Sequence, residues 1–296
     1  MQEEWAIVHQ GSDRQACSDR ALVLHAISIP YKILSDGDSY CALAVPGPLS
    51  EKAKFEIWEY EQENRPSPPT ATPMVPDHEK AIPGVIAYII IVVAVAWMSG
   101  RGTFGADWLG AGRIDGSLIR DGQWWRVVTA LTLHGGIKHI LGNIVFGTVF
   151  GLFVGGLIGP GIAWFAIVGA GALGNTLNVF LLESGHRSIG ASTAVFAALG
   201  IVSGFVWRAK LMAQDRWAWR LGPIVGGIAL LAYTGTGDAN TDVGAHLAGF
   251  VCGFAAGMIL TIWPDIRSSQ TMQIAGGVLA LGIVFTSWFI ALLSWN

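Results

Sequence analysis

The sequence predicts a polytopic α-helical membrane protein preceded by a small soluble α+β domain. Three observations carry that expectation. The chain of 296 residues is 52% hydrophobic but only 13% charged, against roughly 25% charged for soluble domains. It holds 39 glycines, a residue more frequent in membrane helices than in soluble ones. From residue 83 onward apolar stretches recur whose lengths approach the ~20 residues that cross hydrocarbon, whereas residues 1–64 hold about half of the acidic residues.

Residues 1–64 read as a cytosolic domain. Trp5-Ala6-Ile7-Val8 has strand character, and Ser18 to Ile29 has helical apolar spacing. Tyr31 to Leu34 and Tyr40 to Val45 flank Asp36-Gly37-Asp38, a hairpin signal. Ser50 is the expected N-cap of a charged amphipathic helix over Glu51 to Asn64. The order β-α-β-β-α predicts a ferredoxin-like sandwich. His9 and His25 have no partners at useful spacing and read as structural. Residues 65–82 form a linker in which Pro66, Pro68, Pro69, Pro73 and Pro76 favour an extended, semi-rigid chain.

Seven apolar segments follow, near 83–99, 136–157, 160–182, 190–207, 220–235, 243–263 and 272–293. The first six make a core over 83–263, and residues 264–296 add a C-terminal helix. The fifth is short and Gly-rich, with Trp217 and Trp219 as interfacial anchors. Arg208, Lys210, Arg216 and Arg220 lie between segments four and five, and only Asp238 and Asp242 between five and six. The positive-inside rule puts the former loop in the cytoplasm, although loop 100–135 also holds Arg101, Arg113, Arg120 and Arg126. With seven crossings the N-terminus is cytoplasmic and the C-terminus outside. The expectation is a multi-pass protein of a bacterial cytoplasmic membrane. Residues 1–30 lack a basic start followed by an apolar run, so no signal peptide is expected.

A net charge of −3 argues against nucleic acid as a partner. Cys17, Cys41 and Cys252 show no metal or redox spacing, and their odd number disfavours a disulfide framework. No His-Glu-x-x-His occurs, and no cofactor or metal is expected.

The same topology assembles a polar layer. Segments two, four and six all begin on the outer face, which brings His139, Asn143, Ser192 and His246 to similar depth. Ionisable groups inside a bilayer are costly and point to function by default. Ser192 opens an apolar helix in Gly190-Ala191-Ser192-Thr193. Alone, such a serine bonds a carbonyl one turn earlier; beside a base it becomes a nucleophile. His246 is the candidate base, or else a bond across a helix interface. Gly249 and Gly253 on its helix permit the close approach a serine–histidine bond requires. His139 and Asn143, four apart on one face, can donate to an oxyanion or glue helices together. His134, five residues before His139, falls about 140° off that face at 100° per residue, poor geometry for a two-histidine metal site. Asp242, one turn before His246, is expected to face the aqueous loop, which favours a Ser192–His246 dyad over a triad.

Gly190-Ala191-Ser192-Thr193, Ala245-His246-Leu247-Ala248-Gly249, the His134, His139, Asn143 spacing and Gln123-Trp124-Trp125-Arg126 together resemble the rhomboid family of intramembrane serine proteases, over residues 83–263. The resemblance implies a six-helix catalytic core, rhomboid-like, in which Ser192 attacks and His246 is general base. It further implies that His139 and Asn143, with the Ser192 amide, bind the oxyanion. Segment seven would be an added helix, as in six-plus-one members. The substrates implied are transmembrane helices of other membrane proteins, cleaved near their outer ends within the lipid bilayer; no oligomeric state is implied. Two departures stand out. Thr193 replaces the usual glycine after the serine and is expected to narrow the space there, and Leu157-Ile158-Gly159-Pro160 lacks the glutamate many members carry. The fifth segment, with Gly226-Gly227, Gly235 and Gly237, is the expected lateral gate, and loop 100–135 an interfacial anchor. The alternatives are an inactive relative that binds transmembrane helices, and a transporter with a histidine proton path; the latter requires ionisable groups at mid-membrane, where none lie.

Overall fold

The computed structural model describes residues 4–35, 40–64, 77–181, 186–209, 225–226, 229 and 242–295. The chain divides into two compact units, Met1–Thr70 and Ala71–Asn296.

In the first unit β1 (Trp5–Gly11), α1 (Arg14–Ala26), β2 (Lys32–Ser35), β3 (Cys41–Pro46) and α2 (Ser50–Glu63) follow in order. The sheet has the order β1-β3-β2, with both pairs antiparallel. The central position of β3 explains why Cys41 to Val45 are all buried, with Cys41, Leu43 and Val45 packed in one cluster with Leu24 of α1 and Ile57 of α2. Helix α1 starts four residues before the expected Ser18, because the Asp13 carboxylate accepts from the N–H groups of Gln15 and Ala16. Ser50 is not an N-cap. A 3₁₀ turn over Gly47–Leu49 runs straight into α2, and the Ser50 N–H donates to Gly47 O. The expected turn at Asp36-Gly37-Asp38 and the core of the linker, 65–76, lie outside the described residues.

The second unit begins with α3 (His78–Arg101), five residues before the expected segment, because Asp77 caps it through the Lys80 N–H and Pro83 is accommodated inside the helix. Gly102, at φ +56°, ends it. The following stretch is folded: α4 (Trp108–Gly112), β4 (Ile114–Asp115), α5 (Gly116–Arg120) and α6 (Arg126–Thr129). Then come α7 (Ile137–Ile158), α8 (Pro160–Leu181), β5 (Arg187–Ser188), α9 (Ser192–Ala209), α10 (Val243–Leu260), α11 (Pro264–Ser268) and α12 (Gln270–Leu293). Among the described residues six helices, α3, α7, α8, α9, α10 and α12, are long and apolar enough to cross a membrane. The expected fifth segment, 220–235, falls almost wholly outside the described residues.

Helix α9 is the most enclosed, with 61% of its span buried against 22–39% for the other five. Glycines bring α10 onto it. A Cβ at Gly249, Gly253 or Gly257 would collide with the backbone of Thr193, Ala197 or Ile201, and one at Gly200 or Gly204 with Phe250 or Phe254. Small residues four apart on both helices let the backbones touch, which is how membrane helices gain packing energy without a hydrophobic driving force. At the other end of the bundle, α12 closes the corner between α7 and α8. Gln273 Oε1 accepts from the N–H groups of Gly161 and Ile162, and its Nε2 donates to Ile158 O and Arg267 O.

Candidate active site

Ser192 is the first residue of α9, so its own N–H has no acceptor within the helix. Gly190 precedes it at φ +140°, and its N–H donates to Ala130 O at 3.0 Å. A Cβ on Gly190 would lie 2.7 Å from His139 Nε2 and 3.4 Å from Ser192 Oγ. The absence of a side chain there is what brings the His139 ring beside the serine.

His246 stands in the first turn of α10, 6% exposed. Its Nε2 is 2.7 Å from Ser192 Oγ, within the range of a nucleophile–base hydrogen bond. The ring stacks on Phe196, one turn after Ser192, at 4.5 Å and 22°. With Nε2 facing the hydroxyl as acceptor, Nδ1 carries the ring hydrogen, and it has no hydrogen-bond partner among the described residues. Stacking and helix position orient this imidazole there, rather than a second hydrogen bond.

Asn143 on α7 is 6% exposed and its Nδ2 has no partner among the described residues. A buried amide donor left unpaired costs about 1–3 kcal/mol, so it is available to an incoming acceptor. Tyr88 of α3 donates to Asn143 O at 2.7 Å and fixes this turn of α7, and a Cβ on Gly147 would meet the Tyr88 hydroxyl. Ser192, His246, His139 and Asn143 all line one cleft of about 1090 Å³.

Two expectations change, and a third, for Thr193, gains a second contact. Asp242 does not face the aqueous loop. It caps α10 through the Ala245 N–H at 2.9 Å, accepts from Asn178 Nδ2 at 2.9 and 3.0 Å, and pairs with His186 Nε2 at 2.6 Å. His134 lies close to His139, with ring centroids 5.1 Å apart. The helical angle does not apply because α7 begins only at Ile137, leaving His134 in the preceding loop. Thr193 is 3% exposed, and the space a Gly249 Cβ would need is taken by Thr193 O and its Cγ2. Its side chain thus packs against α10 as well as bordering the cleft.

The sequence reading misses His186 and Asn178. Asn178 and Asn175 are buried amides in an otherwise apolar α8, the same signal that singles out Asn143. Arg126 of the Trp-Trp-Arg stretch is 3% exposed and ties its loop together, donating to Gln123 Oε1, Gly110 O and Arg113 O. That is an anchoring role.

Residues 121–263 match the sequence model of the Rhomboid domain. The chain is 31% identical over 167 residues to rhomboid-like protease 2 of Toxoplasma gondii, covering 53% of this chain and 57% of that one. Over these matched residues the chain carries a rhomboid-family domain. Two proteins of Bacillus subtilis (strain 168) are similar to it. The putative rhomboid protease YdcA is 26% identical over 46% of this chain and 67% of its own length. Rhomboid protease GluP is 28% identical over 59% of this chain and 34% of its own. The chain spans about half the length of the first curated relatives it matches. The rhomboid match contains α6 to α10 and all four candidate residues, and it excludes α3, α12 and the N-terminal unit.

Proposed function

We propose that this rhomboid protein is an intramembrane serine endopeptidase acting through a Ser192–His246 dyad. The observation that carries the reading is the 2.7 Å contact between Ser192 Oγ and His246 Nε2. His246 takes the hydroxyl proton as Oγ attacks the scissile carbonyl. The carbonyl oxygen becomes an oxyanion, held by the Asn143 amide, the His139 ring and the Ser192 N–H; each such donor is worth about 2.7–4 kcal/mol of barrier. As the tetrahedral species collapses, the imidazolium returns its proton to the departing amine, leaving an ester on Ser192. Water, deprotonated by His246, then attacks the ester, and the same proton path frees the serine. The mechanism draws on these side chains, the Ser192 backbone N–H and water.

The substrates are transmembrane helices of other proteins. The basic loop after α9 supports a cytoplasmic N-terminus, with the dyad near the outer face and the chain in the cytoplasmic membrane of a bacterium. Residues 83–263 form the protease core, with 264–296 an added helix. Residues 1–64 form a ferredoxin-like cytosolic domain, a reading supported by the three-stranded sheet of order β1-β3-β2.

The test is expression with a tagged model membrane substrate. Wild type cleaves it, and Ser192→Ala and His246→Ala each lower the rate by about 10³-fold or more. A fluorophosphonate labels Ser192 only while His246 is present. If wild type leaves the substrate intact, the chain is an inactive helix-binding relative; if either variant still cleaves, the dyad is wrong.

A further inference from the structure

The dyad distance depends on how the first turns of α9 and α10 sit against each other. Below the site, the glycine contacts fix the two helices. At the site itself, the task falls to Asp242. Its carboxylate, with the side chain 12% exposed, meets partners in three segments: the Ala245 N–H in its own helix, Asn178 Nδ2 on α8, and His186 Nε2 six residues before Ser192. The His186 loop is tied down in turn. Gly116 N–H donates to His186 O, β4 pairs with β5, and Arg187 Nε meets Asp115 Oδ2 at 3.0 Å. Gly244 lets the start of α10 close on α8, since a Cβ there would lie 2.5 Å from Asn178 Oδ1.

A carboxylate taken out of water is costly unless its oxygens are fully bonded. Here they are, and none of the bonds goes to His246, whose Nδ1 is unpartnered among the described residues. Asp242 is therefore not the third member of a triad.

We propose that Asp242, with His186 and Asn178, is a positioning clamp that sets the Ser192–His246 distance by holding both ends of the dyad to one carboxylate. The proposal rests on the dyad reading above. It assigns His186 an effect on reactivity although its ring makes no bond to Ser192 or His246, and the effect passes through Asp242.

The experiment measures fluorophosphonate labelling of Ser192, and kcat and KM on the model substrate, for wild type, Asp242→Asn, His186→Ala, His186→Gln and the Asp242→Asn/His186→Ala pair. Wild-type labelling that disappears in His246→Ala establishes the dyad first. The amide introduced by Asp242→Asn keeps the cap but cannot accept from both partners. Asp242→Asn and His186→Ala are expected to label about tenfold more slowly or worse, since small misplacements of reacting groups cost up to about 10², with KM within about twofold. The double variant is no slower than Asp242→Asn, because residues in one network are not additive. His186→Gln, which keeps a donor, recovers most of the rate. Should Asp242→Asn fail to fold, the contrast between His186→Ala and His186→Gln decides alone. Undiminished labelling in the variants, full additivity, or no recovery with glutamine overturns the clamp while leaving the dyad. Absence of His246-dependent labelling in wild type overturns both.

Discussion

Asn143 carries a buried amide with no partner among the described residues, and its backbone carbonyl is held by Tyr88 whatever the side chain. Removing the amide therefore takes away nothing that the resting fold uses there. Asn143→Ala is expected to lower kcat by about 10²–10³, with KM and thermal midpoint close to wild type. Kinetics on the model substrate, with a melting curve in detergent, check this; a proportional rise in KM would count against an oxyanion role. At this scale the sequence is legible where spacing on a helix matters. It singles out Ser192, His246, His139 and Asn143, and the structure lines them along one cleft. His186 is not legible, because its importance comes from a contact with Asp242, 56 residues away. Asp242 is misread for the same reason: capping polarity is local, but a cap's second and third partners are tertiary.

The crossing of α9 and α10 rests on a column of glycines. Gly253 faces Ala197 O so closely that any side chain must separate the helices. Gly253→Val should cost about 1–3 kcal/mol through overpacking and, by shifting α10, slow Ser192 labelling at temperatures where the variant is still folded. A melting curve and a labelling time course separate the two effects. The same change at Gly169 or Gly282, where no atom of the described residues lies within 4 Å of an added Cβ, serves as control. Element existence is legible from apolar length for α7, α8, α9, α10 and α12. Boundaries shift where a cap decides them, at Asp13 and Asp77. The folded stretch between α3 and α7 reads only as a loop in the sequence, because its short helices and the β4–β5 pair depend on buried Arg126 and on Asp115 meeting Arg187.

Across the molecule, acid is the condition under which the site's scaffold fails. Burial pushes the Asp115 carboxyl up, but Ser117, the Leu118 N–H and Arg187 outweigh it, so its pKa lies below the usual value. Asp242 behaves alike: burial is outweighed by the Ala245 N–H, His186 and Ser188. A depressed folded pKa means that the stability is fully present above the unfolded value of about 3.9 and lost as pH falls through the folded one. The thermal midpoint should therefore be insensitive to these two groups from neutral pH down to about 5, then fall below about 4; Asp115→Asn should flatten that fall. Melting curves over that range decide it, and an unchanged slope would show that other groups dominate.

The four hydrogen bonds of Gln273 have a consequence for how the protein is made. The corner at Gly159-Pro160 exposes backbone donors and an acceptor that hydrocarbon cannot satisfy, and the side chain that satisfies them is synthesised 112 residues after Gly161. Helices α7 and α8 thus enter the bilayer with an unfinished joint. The nascent chain must keep that joint near water, protein or the insertion machinery until α12 arrives, and a ribosome stalled before α12 would leave behind a bundle that cannot close.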